Sequence, residues 1–189
     1  MGLIRASCRA AAVAVNKLLA PLGLKLARID AHDWNDVANF IPFERTIEAA
    51  RKAGMSVGDY VDSVMNGTPG MTQDTIDKMA SLGVFTEPLR TVIEIGPGTG
   101  RYLERTMKAG RPTRYEIYET AGPWARYLAE NYDVVRQPTD GYSLSSTADA
   151  SADLVQAHKV FSTVPFMATC CYWHEMARAT RPGGGRSLT

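Results

Sequence analysis

From Thr91 onward the apolar positions of this chain follow two alternating periods. Thr91–Ile95 is an unbroken apolar, β-branched run, as expected of a strand buried on both faces. Arg101–Ala109 carries Leu103 and Met107 four residues apart and stops at Gly110, which predicts a helix. Tyr115–Tyr118 reads as a second strand. Pro123 suits the first turn of another helix, in which Trp124 and Leu128 stack four apart. Val134 and Val135 mark a third short strand, and Asp153–Ala157 a fourth. A helix over Phe166–Thr180 follows, with Cys170, Trp173 and Ala177 on one side, and Arg181-Pro182-Gly183-Gly184-Gly185 ends it. Alternating strands and helices imply an α/β fold, a mostly parallel sheet with helices on both faces.

The first 88 residues read as mainly helical. Phe43, Ile47 and Ala50 share a helical spacing that Gly54 closes. Ser56 is placed to cap a second helix, with Asp59 three residues on and Val57, Tyr60, Val61 and Val64 as its apolar face. Asn66–Gly70 is a turn, and Thr72 is placed to cap a third helix carrying Ile76 and Met79, which stops at Gly83. At the start of the chain, Arg5, Arg9, Lys17, Lys25 and Arg28 occur with no acid among them up to Arg28. This segment reads as a basic amphipathic leader, broken at Pro21 and Gly23. Packing on the main domain is the favoured reading, and peripheral contact with an anionic membrane surface is the alternative. The apolar stretch Ala10–Val15 is too short for a secretory signal. The division expected is a leader over 1–30, a helical lid and substrate region over 31–88, and an α/β domain over 89–189.

Bulk properties narrow the chemistry. A net charge of +1 gives no electrostatic case for nucleic acid, and no aromatic-basic interleaving suggests one. Hydrophobic residues make up 45% and charged residues 22%, the balance of an ordinary soluble domain, and no apolar run is long enough to span a bilayer. Cys8, Cys170 and Cys171 form no disulfide framework, which fits a reducing cytoplasm, and no Cys/His spacing predicts a metal site.

The most informative stretch is Val92-Ile-Glu-Ile-Gly-Pro-Gly-Thr-Gly-Arg101. A strand running into a glycine cluster and then a helix lets backbone approach a nucleotide-like ligand. A phosphate-cradling P-loop would need Lys-Ser or Lys-Thr after its last glycine, but Arg101 and Tyr102 stand there. A dinucleotide fingerprint reads G-x-G-x-x-G, and here the third glycine comes one residue early, at Gly100. Glu94, two residues before Gly96, suits a ligand that is cationic or donates hydrogen bonds and would repel a pyrophosphate. Glu119 follows Gly100 by 19 positions, where an acid accepts both hydroxyls of a ribose.

This combination resembles motif I of the class I S-adenosylmethionine-dependent methyltransferases, which have a Rossmann-like fold. The resemblance implies S-adenosylmethionine as cofactor, with Glu94 at its methionine end, directly or through water. Gly96, Gly98 and Gly100 would then give close backbone approach, and Thr99 a hydroxyl at the helix start. It also implies that Asp140, in the Asp140-Gly141 turn, meets the adenine amino group; a plain Asp-Gly turn is the alternative. Ala152–Phe161 resembles the family's fourth strand, whose carboxyl end faces the transferred methyl. Glu175–Gly184 resembles the helix and turn before its fifth strand. The family normally continues through a fifth strand, a helix and an antiparallel pair. With the sequence closing at Thr189, only a stub of the fifth strand is expected, the fourth strand would be an edge, and the chain reads as truncated.

Methyl transfer from a sulfonium requires in-line positioning and sometimes a base. His158, at the end of the fourth strand, is the candidate base; lining the cofactor pocket or capping the strand are its other readings. His32 and His174 read as structural. Phe43, Tyr60, Phe85 and Trp34 are candidates for an acceptor pocket, although core packing is the favoured job for each. The function implied is O-methylation of a small-molecule acceptor. A non-catalytic, cofactor-binding methyltransferase-like chain is the alternative, and a nicotinamide-dependent oxidoreductase a weaker one.

Overall fold

Thr91–Ile95 forms β1, the central strand of a five-stranded, all-parallel sheet in the order β3-β2-β1-β4-β5. The computed structural model describes residues 41–189, with Val15 and Pro21 as isolated positions before them. Residues 36–189 make one unit and residues 1–35 another. The expected basic leader and Trp34 lie outside the described residues, so the account below concerns the second unit.

Three helical segments precede the sheet. They are α1 (Phe43–Ala53), α2 (Val57–Tyr60, continuing as a π-helical turn over Val61–Met65) and α3 (Met71–Ser81). Ser56 caps α2 as its sequence predicts, accepting from Asp59 N at 3.1 Å. Thr72 does not cap α3. The cap is Gly70, two residues earlier, and Thr72 is buried inside the helix, where its hydroxyl and its N–H both donate to Asp62. A buried carboxylate takes every donor within reach, and this tertiary demand overrides the local capping signal. Arg105 and Asn66 complete the set around Asp62; burial raises its pKa, but the two Thr72 bonds first, then Arg105 and Asn66, hold it low.

Within the α/β part, β1 leads to α4 (Arg101–Gly110), β2 (Arg114–Tyr118), α5 (Gly122–Asn131), β3 (Val135–Arg136), β4 (Ala152–Ala157), α6 (Phe166–Ala179) and β5 (Thr180–Leu188). Strand side chains alternate between two cores, as the pleat requires. Val92, Tyr115, Ile117 and Leu154 pack with Leu103 of α4, Leu128 of α5, and Ile76 and Met79 of α3. Ile93, Ile95, Tyr118, Val155 and Ala157 pack with Tyr172 and Met176 of α6.

The expectation of a fifth-strand stub is corrected. β5 pairs in parallel along β4 from Ala152 to Ala157, so β4 is an interior strand. The run read as a terminating turn, Arg181–Gly184, is a bulge between the pairs Ala152–Thr180 and Leu154–Gly185. Gly183, at φ 78°, takes the left-handed conformation this extra length requires, and Gly185–Leu188 then resumes the ladder. Asp153 fixes the amino end of the sheet. Its carboxylate accepts from Arg90 N at 2.9 Å and Thr91 N at 2.7 Å, and pairs with Arg181.

Candidate functional site

The carboxyl ends of β1, β2 and β4 converge on a cavity of about 200 Å³. Its lining includes Gly96, Pro97, Gly98 and Thr99 from the loop after β1, and Glu119 and Thr120 from the end of β2. His158, Lys159 and Val160 follow from the end of β4. Open parallel sheets bind ligands beyond their carboxyl ends. A second cavity, of about 410 Å³, lies at the amino ends of the strands around Asp153 and Arg181 and contains no residue of the glycine loop.

The loop conformation depends on its glycines. Gly96 sits at φ 60°, and a Cβ there would lie 2.8 Å from Val160 Cγ2, so side-chain-free backbone is needed to seat the loop against β4. Gly98, at φ 53°, is different: a Cβ would meet nothing within 4 Å, and the residue lines the cavity. Glu119 locks this loop. Its Oε2 accepts from Gly98 N at 2.8 Å and its Oε1 from Ala121 N at 2.7 Å, while the residue stays 5% exposed.

The remaining sequence-predicted residues separate. Gly96, Gly98, Thr99, Glu119 and His158 line one cavity, whereas Glu94, Gly100, Asp140 and Gly141 are not on its wall. Glu94 is buried beneath the loop, where the Tyr115 hydroxyl donates to it and Gln156 adds a side-chain bond. Burial pushes its pKa up to about 7, with the Glu119 charge adding to the rise and the two hydrogen bonds opposing it. A direct contact between Glu94 and a ligand is not what this arrangement provides. Asp140 is engaged in its own turn, accepting from Tyr142 N at 3.0 Å and from Ser143 N at 2.8 Å. That turn adjoins the cavity through Gly141, whose added Cβ would lie 3.8 Å from Thr120 Cγ2.

His158 is 5% exposed. Its Nδ1 lies 3.0 Å from Thr189 Oγ1, and its ring stacks on Tyr102 at a centroid distance of 4.2 Å. Burial first, then the charges of Arg101 and Lys159, push its pKa down to about 4, so the ring is neutral at pH 7. Among the described residues, His158 Nε2 and the Tyr102 hydroxyl are buried and lack a hydrogen-bond partner.

Sequence reasoning missed several of the wall residues. Tyr102 and Lys159 are neighbours of residues already singled out, but only the fold brings them together. Trp124, expected to stack on Leu128 along its helix, also lines the cavity and donates from Nε1 to Ile41 O at 3.0 Å. Phe43 and Tyr60 pack around Trp124, and Phe85 packs in the core beneath β1, so these three serve as core, the favoured reading.

A family model described as a methyltransferase domain matches residues 93–186. No curated protein sequence matches the chain. Among solved structures, one similar chain is a Methanococcus maripaludis protein assigned to the S-adenosyl-L-methionine-dependent methyltransferases. It is 13% identical with a TM-score of 0.54, covering 87% of this chain and 67% of that one. A Galdieria sulphuraria protein assigned as a sarcosine dimethylglycine methyltransferase is 14% identical with a TM-score of 0.51, covering 59% and 43%. An O-methyltransferase family protein from Burkholderia thailandensis is 20% identical with a TM-score of 0.50, covering 74% and 41%. The chain thus spans from about two fifths to two thirds of the length of these relatives. The glycine loop and the parallel sheet that positions it agree with these likenesses: residues 93–186 match a methyltransferase domain, and the fold is the Rossmann-like one of the class I S-adenosylmethionine-dependent methyltransferases.

Proposed function

We propose that the cavity at the carboxyl ends of β1, β2 and β4 holds S-adenosylmethionine and that the chain transfers its methyl group to an oxygen of a small-molecule acceptor. The observation that carries this reading is the bond from Gly98 N to Glu119 Oε2, which ties the open backbone of the glycine loop to the acid at the end of β2. In the proposed pose, Gly96, Gly98 and Thr99 face the methionine end. Glu119 accepts the ribose hydroxyls, and the Asp140–Gly141 turn, reached past Thr120, borders the adenine. Gly100 starts α4 and keeps the loop short. Glu94 acts from beneath the loop, through its field rather than by contact, favouring the cofactor's cationic groups.

S-adenosylmethionine supplies an electrophilic methyl on a sulfonium, so the protein's own contribution is mainly position and exclusion of water. Neutral His158 can accept the hydrogen bond of an acceptor hydroxyl at Nε2 and orient it. With its pKa pushed down to about 4, it holds a proton weakly, so orientation is its larger role and the hydroxyl proton released on methylation passes to water. The assay is formation of S-adenosylhomocysteine from S-adenosylmethionine over a panel of hydroxyl-bearing small molecules, with Glu119→Gln as control. Acceptor-dependent product that falls with the variant supports the reading. Methyl appearing only on amine or carbon acceptors overturns O-transfer, and absence of product with every acceptor overturns the catalytic claim.

A further inference from the structure

Arg101 and Lys159 both line the cavity, and among the described residues neither side chain forms an ion pair. Arg101 opens α4, where the helix end adds partial positive charge, and its guanidinium lies 5.1 Å from the centroid of the Tyr102 ring. Lys159 holds φ 59°, a left-handed conformation that Gly or Asn adopts more readily, and its N–H donates to Thr189 O at 2.8 Å. An exposed lysine kept in a strained position at a cavity wall is a functional signal rather than a folding convenience. On the same wall, His158 and Tyr102 are each more than nine-tenths buried with their rings stacked, and among the described residues His158 Nε2 and the Tyr102 hydroxyl have no hydrogen-bond partner. Unpaired buried polar groups are costly, and an incoming polar ligand is the natural partner.

Charge balance gives the sign of that ligand. Among the described residues, one carboxylate, Glu119, shares the wall with Arg101 and Lys159. S-adenosylmethionine brings a sulfonium and an ammonium against a single carboxylate of its own. Before an acceptor binds, the described wall thus carries more cationic side chains than carboxylates.

Resting on the reading that S-adenosylmethionine occupies the cavity, we infer that the methyl acceptor carries an anionic group, a carboxylate or a phosphate monoester, held by Arg101 and Lys159 beside the His158–Tyr102 pair. Two cations at one wall suit a small dianion or a carboxylate.

The test titrates sodium phosphate and, separately, sodium acetate into the S-adenosylhomocysteine complex by calorimetry, with the intact chain and with Arg101→Gln and Lys159→Asn. Asn tolerates the left-handed backbone at 159, and circular dichroism checks that both variants fold. The inference predicts saturable millimolar binding of at least one anion, weakened about tenfold or more in each variant, with S-adenosylhomocysteine affinity changed less than twofold. The stronger of the two probes separates a phosphate monoester from a carboxylate. Absence of saturable binding of either anion, or binding equal in the variants, overturns it. A tenfold loss of S-adenosylhomocysteine affinity in both variants also overturns it, because the cations would then be holding the cofactor's own carboxylate. Failure of the unmodified chain to bind S-adenosylhomocysteine sinks the cofactor reading itself, a result distinct from the other three.

Discussion

Glu119→Gln separates the ligand role of this residue from its role in the loop. The carboxylate accepts from Gly98 N and Ala121 N at 2.8 and 2.7 Å, and in the proposed pose it also accepts from the ribose diol. Glutamine keeps the shape but offers one acceptor oxygen, and its amide NH₂ would face a backbone N–H. One internal bond to a charged acceptor is lost, and such bonds contribute about 1.5–3 kcal/mol. On the ligand side at least one charge-assisted ribose bond is lost, again about 1.5–3 kcal/mol, or roughly 10- to 150-fold in Kd. Calorimetric titration with S-adenosylhomocysteine reads the second effect, and urea denaturation without ligand reads the first. A Kd within twofold of the parent, in a variant whose stability has fallen, would refute the ribose role and leave Glu119 as a structural clamp. A Kd and a stability both unchanged would refute the hydrogen-bonding account altogether.

Gly96→Ala places a Cβ 2.8 Å from Val160 Cγ2 at φ 60° and should cost about 1–3 kcal/mol in urea denaturation. Adding Val160→Ala should recover only the steric share, and full recovery would deny the backbone strain. Asp153→Asn weakens the tie between β4 and the start of β1 and should lower stability by about 1.5–3 kcal/mol at pH 7. Because the folded pKa of Asp153 is lowered, its contribution is present above the unfolded value of 3.8 and lost as pH falls through the folded pKa, so the two proteins should converge in acid. His158 and Glu94 should give opposite pH slopes. His158 drops from 6.5 to about 4 on folding, so the unfolded chain takes the proton first as pH falls from 6.5 towards 4, and stability declines by roughly 3 kcal/mol. Glu94 rises from 4.5 to about 7, so the unfolded chain loses its proton first as pH rises over that window, and stability again declines by roughly 3 kcal/mol. Glu94→Gln should therefore expose a stability rising from pH 4.5 to 6.5, and His158→Asn one that falls. Identical slopes in the two variants would contradict both assignments.

What the sequence makes legible here is local. The β-branched run Thr91–Ile95, the glycine register after it and the helix capped by Ser56 are specified by residues within a few positions of one another, and they stand where expected. The cap predicted at Thr72 does not form because the residue's partner, Asp62, lies ten residues away across a turn. β5 was shortened because Pro182 and three glycines carry the signature of a turn, and only pairing with β4 turns them into a bulge. The wall residues Tyr102, Trp124 and Lys159 come from three different strand ends or helix starts, and a parallel sheet joins such positions only through crossovers that no local pattern records. The same non-locality separates Glu94 from the cavity: its place on the face shared with Tyr115 and Gln156 follows from strand register, not from its distance to Gly96 in the chain.

The central claim is that the Gly96–Gly100 loop and Glu119 form a site for S-adenosylmethionine and not for a dinucleotide. Parallel calorimetric titrations of the intact chain with S-adenosylmethionine, S-adenosylhomocysteine and NAD address it directly. The account predicts saturable one-to-one binding of the first two and no measurable heat from NAD; binding of NAD alone, or of none of the three, would contradict it.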